Sequence, residues 1–382
     1  VSTFLQGAAK YVLLIAGALA AIAPTSPLAA QSAREPTRVI FDTDMWGDID
    51  DALALAMLHS LQDRGEAELL AVTSSTDDPS TATFIDALDT FYRHGDIPVG
   101  LVRRGVTVKQ TVTRFPFFGS DRGYTRALSS AENPDGSLVF PHTLTNGASA
   151  PDSVALLRKT LAAQRDGSVV IIQVGFSTNL ARLLESKGDQ YSPFDGMDLI
   201  RHKVRLLSVM AGAYADPQGR PVERSAPEFN LILDIPSAQQ LFDKWPTPLV
   251  ASGFEIGASM RINGSCVDRL YGYTRNHPVA AAYHYVDGIY RSKETPPGVL
   301  HNHATYDLTS VLYAIRPDDG YFNLSAPGKI SVEPDGSSRF VARTGGTHRY
   351  LTMNDAQRAR ALEAMTLLAS EPPVSREQQH RR

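Results

Sequence analysis

Cysteine is nearly missing from this chain: Cys266 is the single one in 382 residues. No intramolecular disulfide can form, and no cluster of thiolates can hold zinc. With no partner motif around it, Cys266 reads as a small packed side chain rather than a nucleophile. An excess of one charge is also missing. Thirty-seven Lys and Arg stand against 41 Asp and Glu, for a formal net charge of −4, which gives no reason to expect nucleic-acid binding. Internal repeats and low-complexity blocks are absent. The apolar run from Tyr11 to Ala23 falls short of the ~20 residues that span a bilayer comfortably.

That run carries a different signal. Lys10 precedes it and the small residues Leu28-Ala-Ala-Gln31 follow it, the arrangement of a secretory signal peptide cut near Ala30. An uncleaved anchor is the other reading. The expected organisation is a signal peptide over 1–30, one large domain over 31–370, and a polar, disordered tail over 371–382. The mature protein is expected in the periplasm or outside the cell, with no stable membrane span. Self-association into a homo-oligomer stays open.

Strand-like and helix-like segments alternate along the domain. Residues 39–41, 68–73, 97–102, 169–174, 203–210 and 248–252 read as strands, and 49–61, 80–92, 152–164, 179–185, 237–245, 279–290 and 308–315 as helices. Residues 103–150 look irregular. Alternation at this spacing predicts an α/β fold, an open and mainly parallel sheet with helices on both faces. The C-terminal part reads differently. Residues 329–333 and 338–342 flank Pro334-Asp-Gly336 as a β-hairpin, and a closing helix spans 354–369, capped by Asn354.

The densest chemistry follows the first strand. Asp42, Asp44, Asp48, Asp50 and Asp51 fall within ten residues, between the apolar Val39-Ile-Phe41 and the helical Ala52-Leu-Ala-Leu-Ala-Met-Leu58. They crowd the carboxyl end of a strand, where open α/β sheets bind ligands. Like charges so close repel unless a cation joins them, and oxygen-only ligands suit Ca²⁺ or Mg²⁺ rather than zinc. Capping of the following helix accounts for one or two of these acids, but not for five.

Three later segments complement this loop. Gly175-Phe-Ser-Thr-Asn179 ends a buried strand at another carboxyl-end turn, where a backbone carbonyl can face a metal; an ordinary strand-to-helix turn is the alternative. Glu228 and Asn230, two apart in Ala226-Pro-Glu-Phe-Asn230, fall on one face of an extended segment and suit sugar hydroxyls. Asp307, after His301-Asn-His-Ala-Thr-Tyr306, opens an apolar helix as a cap or as a distant oxygen ligand to the same cation. His301 and His303 are not spaced as zinc ligands on a helix and read as surface or pocket-rim residues.

Together these segments resemble the inosine/uridine-preferring nucleoside hydrolase family over about 38–319. The likeness rests on Asp42-Thr-Asp44 with Asp50-Asp51-Ala-Leu53, on Gly175 with Thr178-Asn-Leu180, on Glu228-Phe-Asn230, and on Asp307. It implies an open α/β sheet with Ca²⁺ at the carboxyl ends of its strands. Asp44, Asp51 and Asp307 would bind the ion by side chain and Val174 by its carbonyl. Asp44 would also be the general base for the attacking water. Asp50, Glu228 and Asn230 would hold the ribose of a nucleoside or related riboside.

The chain departs from the family at several points. The acidic loop has five residues between Asp44 and Asp50, two more than usual, which adds Trp46 and Asp48. Tyr306 stands where a histidine is usual, and Ala211-Gly-Ala-Tyr214 replaces a Gly-Gly-Asn. Trp46 is expected to stack on the leaving group with Tyr306 nearby; its other reading is a core residue beneath the loop. Two further functions stay open. Phe41-Asp-Thr-Asp44 resembles the nucleophile motif of haloacid-dehalogenase-type phosphatases, though Trp46 stands where that motif has Thr or Val. A non-catalytic exported nucleoside- or sugar-binding protein is the other.

Overall fold

The computed structural model describes residues 35–116, 123–216, 220–290 and 298–374. The segment expected as a signal peptide and residues 375–382 of the expected tail lie outside the described residues.

The chain alternates as expected through its first half. β1 (Thr37–Thr43) leads to α1 (Asp50–Asp63), β2 (Ala67–Thr76) to α2 (Pro79–Phe91), and β3 (Val99–Val106) to α3 (Val108–Arg114), α4 (Tyr124–Ser129) and α5 (Ser153–Ala162). Next come β4 (Val169–Gln173), α6 (Thr178–Glu185), α7 (Gly196–Lys203), β5 (Val204–Met210), β6 (Arg224–Pro227), α8 (Phe229–Ile232), α9 (Ile235–Lys244) and β7 (Leu249–Ser252). The last third holds α10 (Phe254–Ala258), β8 (Arg261–Ile262), α11 (Val267–Leu270), α12 (Pro278–Tyr290), β9 (His303–Ala304), α13 (Tyr306–Ile315), β10 (Asn323–Leu324), β11 (Gly328–Val332), β12 (Ser337–Ala342), β13 (His348–Thr352) and α14 (Asp355–Ala369).

The central strands are apolar on both faces because helices cover both. Along β1, Val39 and Phe41 enter one core with α1, α2, α12, α13 and α14, while Ile40 enters the other with α5, α6, α7 and α9. β4 does the same, Val170 and Ile172 facing one way, Val169 and Ile171 the other. Strand periodicity of two produces this split.

The strands run parallel in the order β3-β2-β1-β4-β5-β7. The order grows outward in one direction from β1 and in the other from β4. Loops leaving the carboxyl ends of these two neighbours therefore turn to opposite faces and open a crevice between them. Asp42 on β1 pairs in register with Gln173 on β4, so the acidic loop and the Val174 turn begin side by side.

Four features differ from the sequence reading. The C-terminal hairpin is no appendage: β11, β12 and β6 continue the central sheet antiparallel, joined to β7 through the parallel strand β13. Residues 103–150 contain two short helices, α3 closed by a Thr107–Gln110 capping box. Glu228 and Asn230 do not lie on an extended segment: Glu228 is the N-cap of α8, and Asn230 is inside that helix. The start of the expected tail is held in place. Arg64 pairs with Glu371, and Val374 N–H donates to Asp63 Oδ2 at 3.0 Å. Among the described residues, no helix is long and apolar enough to cross a membrane.

Candidate active site

A cavity of about 840 Å³ opens where the β1 and β4 loops part. The sequence-predicted residues Asp44, Trp46, Asp50, Asp51, Val174, Glu228, Asn230, Tyr306 and Asp307 all line it, as does Asp48. They come from four separate stretches of chain, and the sheet topology brings them together.

Asp50 and Asp51 form the first turn of α1, and Asp307 the first turn of α13. Carboxylates there meet the positive ends of two helix dipoles. One oxygen from each of these three residues lies within 4.8 Å of the others. The Asp307 N–H reaches Asp50 Oδ2 at 3.4 Å, and the Thr43 hydroxyl donates to Asp51 Oδ1. The resemblance groups Asp44 with Asp51 and Asp307; the three carboxylates whose oxygens lie this close together are those of Asp50, Asp51 and Asp307, and Asp44 lines the same cavity.

Gly175 explains how the Val174 turn reaches this centre. A Cβ there would stand 2.5 Å from the Asp44 backbone nitrogen and 2.5 Å from Ser75 Oγ. Only glycine lets the two loops approach so closely. Val174 lines the cavity, and its carbonyl accepts from Asn230 Nδ2 at 2.9 Å. Asn230 Nδ2 donates as well to the Met210 carbonyl at 3.1 Å. Both amide hydrogens thus tie the ends of β4 and β5, which leaves Oδ1 as the group able to accept from a ligand hydroxyl. Glu228 is similarly occupied, accepting from the N–H groups of Asn230 at 3.0 Å and Gly212 at 3.1 Å.

Electrostatics set this centre apart. Burial, then the mutual repulsion of Asp51, Asp50 and Asp48, pushes Asp44 well above the usual carboxylate range. Asp50 and Asp307 are pushed well up by the same causes. Asp51 rises to about 7 by burial, opposed by its bond from Thr43. Burial raises Glu228 to about 7. A hard divalent cation fits this donor set: several oxygens, no nitrogen or sulfur, and crowded negative charge that an ion would relieve. The buried trio Asp50, Asp51 and Asp307 could hold such an ion.

Trp46 is 6% exposed and lines the cavity, yet its indole Nε1 sits where a Cβ on Gly123 would be, 2.0 Å away. Its edge is therefore packed on the backbone before α4. Tyr306 stacks on Phe254 with ring centroids 5.2 Å apart, forming part of the cavity wall.

The sequence reading missed three things. Asp42, one of the five acids, lies beneath the site: Thr73 Oγ1 donates to it at 2.6 Å and Asn179 Nδ2 at 2.7 Å, so it braces β2 and α6 against β1. An aromatic wall of Phe115, Phe176 and Phe229 faces the cavity, with Phe115 in the stretch that reads as irregular. Arg114 and Arg261 also line the cavity. Their meeting on one cavity wall has no local signature.

An open, mostly parallel sheet whose strand-order reversal opens a cavity lined by carboxylates and aromatic rings defines an α/β enzyme that works on a small molecule. The chain belongs to the inosine-uridine preferring nucleoside hydrolase family, which its residues 39–367 match. It is thereby an N-glycosyl hydrolase, and the phosphatase alternative falls away.

Solved structures share the fold. A plant nucleoside hydrolase, PpNRh1, is 18% identical, with 88% of this chain and all of that chain covered and a TM-score of 0.59. A purine-preferring ribonucleoside hydrolase from Gardnerella vaginalis is 17% identical, covering 87% of this chain and 98% of its own, TM-score 0.61. The type III effector XopQ, complexed with adenosine diphosphate ribose, is 17% identical over 89% and 95% of the two chains, TM-score 0.62. No curated protein sequence matches the chain.

Proposed function

We propose that this protein hydrolyses the N-glycosidic bond of ribonucleosides, giving ribose and free base, with Asp44 as general base and Ca²⁺ as its metal. The observation that carries this is the convergence of the carboxylates Asp44, Asp50, Asp51 and Asp307 with Val174, Glu228 and Asn230 on one cavity. Bound Ca²⁺, held among Asp44, Asp51, Asp307, the Val174 carbonyl and the neighbouring Asp50, would acidify a water and polarise the sugar hydroxyls.

The side chains supply the rest. Asp44 takes a proton from the attacking water, a role open to its carboxylate once a bound cation keeps it ionised. Asp50 and Glu228 accept from ribose hydroxyls through carboxylate oxygens, and Asn230 through Oδ1. Positive charge builds on the sugar as the bond to the base breaks, and the surrounding carboxylates stabilise it. Trp46, Tyr306 and the phenylalanine wall offer flat surfaces to the departing base. The sequence signal over residues 1–30 supports export, with a mature N-terminus near Gln31.

A second reading has its own support. Arg114 and Arg261 on the cavity wall suit a riboside that carries phosphate, and a similar fold holds adenosine diphosphate ribose in XopQ. Ribose release from a panel of nucleosides, nucleotides and adenosine diphosphate ribose separates the readings. Hydrolysis of unphosphorylated nucleosides, lost about 10³-fold in Asp44→Asn, is the expected result. A protein that binds these compounds without releasing ribose is a retained binding module instead.

A further inference from the structure

Hydrolysis of a nucleoside needs an acid as well as a base. A purine leaves poorly as an anion, and the acids around the sugar site have other work. Tyr306, on the cavity wall and stacked on Phe254, is a weak candidate, because a phenol ordinarily holds its proton far more tightly than an imidazolium does. A donor matched to neutral pH must come from elsewhere on the wall.

His301 lines the cavity five residues before Tyr306, just ahead of the short pair formed by β8 and β9. Three hydrogen bonds from α12 fix it. Its ring Nδ1 lies 2.7 Å from Asp287 Oδ1, and its backbone N–H donates to the same oxygen at 2.6 Å. The Tyr283 hydroxyl donates to its carbonyl at 2.7 Å. Asp287 and Tyr283 stand four apart, on one face of the helix. The Asp287 side chain is 1% exposed and that of His301 39%. A buried carboxylate behind a half-open imidazole fixes the ring's orientation and tautomer, placing the hydrogen on Nδ1. Nε2 then lies on the ring edge opposite Asp287.

Resting on the nucleosidase reading, we infer that His301 is the general acid for the leaving base and that Asp287 is its positioning residue. As the C1′–N9 bond of a purine nucleoside breaks, its electron pair passes to the base, and the imidazolium gives its Nε2 proton to the purine N7. The water oxygen bonds to C1′, and the proton it loses goes to Asp44. Afterwards Asp44 releases one proton to solvent and His301 takes one up. The sum is nucleoside plus water giving ribose plus neutral base.

The experiment compares two substrates that differ in their need for an acid. Inosine requires protonation of its base, whereas p-nitrophenyl β-D-riboside expels a stable anion unaided. In the full-length protein with Ca²⁺, His301→Gln should lose about 100-fold more kcat/KM on inosine than on the nitrophenyl riboside, within the usual range for a general acid. Asp287→Asn, close in shape, should show the same asymmetry to a smaller extent. This second variant decides the matter if His301→Gln disturbs folding. Equal losses on both substrates, or no loss on inosine, would overturn the assignment. Wild-type inactivity on both would overturn the nucleosidase reading, and this assignment with it.

Discussion

The two ends of α1 bury ionisable groups in opposite ways. At its start, Asp50 and Asp51 face Asp44, Asp48 and Asp307, and every one of these acids borders a cavity. At its end, His59 is fully buried and shares a 2.8 Å hydrogen bond with the equally buried Asp89. His59 also stacks on Tyr92 at 5.0 Å and on His94 at 5.3 Å, while His94 reaches Asp63 at 3.0 Å and Gln62 at 2.9 Å. Burial moves the pKa values at both ends. It lifts Asp89 and Asp50 well above, and drops His59 well below, their ordinary values. A displaced pKa therefore does not mark the function. What marks it is like charges gathered beside open space, whereas the far end sets a histidine against a carboxyl inside the protein, joined by one hydrogen bond with His59 Nδ1 and Asp89 Oδ2 left unpartnered.

The strongest way to break this comparison is to remove an acid from the crowded end. Asp51→Ala should abolish measurable Ca²⁺ binding by calorimetry and cut nucleoside hydrolysis by about 10³-fold. Saturating Ca²⁺ should raise the wild-type melting temperature, adding about 2.7 kcal/mol at a hundred times the dissociation constant, and should leave the variant's unchanged. Full Ca²⁺ retention by the variant would remove Asp51 from the ligands.

The paired end should respond in the opposite sense. His59→Ala leaves a cavity and a buried carboxyl without its partner, at a cost of about 3 kcal/mol in urea unfolding. The kcat/KM of the folded fraction should change less than about twofold. A large kinetic loss with intact stability would mean that the two ends of α1 are coupled.

A smaller effect sharpens the contrast through pH. His277, packed between Phe91 and Tyr271, has its pKa lowered to about 3 by burial. The unfolded chain, titrating near 6.5, binds a proton that the folded chain refuses between about pH 6.5 and 3. Stability contributed by this group is therefore complete above pH 6.5 and falls as the pH drops through that window. One such proton is worth at most about 1.4 kcal/mol per pH unit. His277→Phe should flatten the fall in melting temperature between pH 6.5 and 5. An unaltered slope would assign the acid sensitivity to other groups.

How much of this was legible in the sequence follows from how local each signal is. The acidic loop was legible because five carboxylates after an apolar strand form one short pattern, and the parallel sheet because both-face burial leaves continuous apolar runs. Strand β13 was not, since His348-Arg-Tyr-Leu-Thr352 mixes polar and apolar residues and only its place between β7 and β11 makes it a strand. The double duty of Glu228 escaped notice because an N-cap shows only once α8 is seen to begin behind it. Asp50 joins Asp51 and Asp307 through an amide 257 positions away in the chain, a distance no spacing rule spans. Asp287 and His301 lie 14 positions apart and share no element, so neither predicted the other.

Strand β13 also bears on how the molecule is made. It pairs with β7 on one side and β11 on the other, and among the described strands it is the last in chain order. Until it has left the ribosome, the parallel strands from β3 to β7 end in an open edge of unpaired amides and carbonyls, a template for pairing with another chain. Nascent chains stalled or clipped before His348 would carry the whole acidic centre and still be prone to aggregate. Completion of the sheet at its last strand thus makes synthesis of the C-terminal segment a checkpoint for solubility.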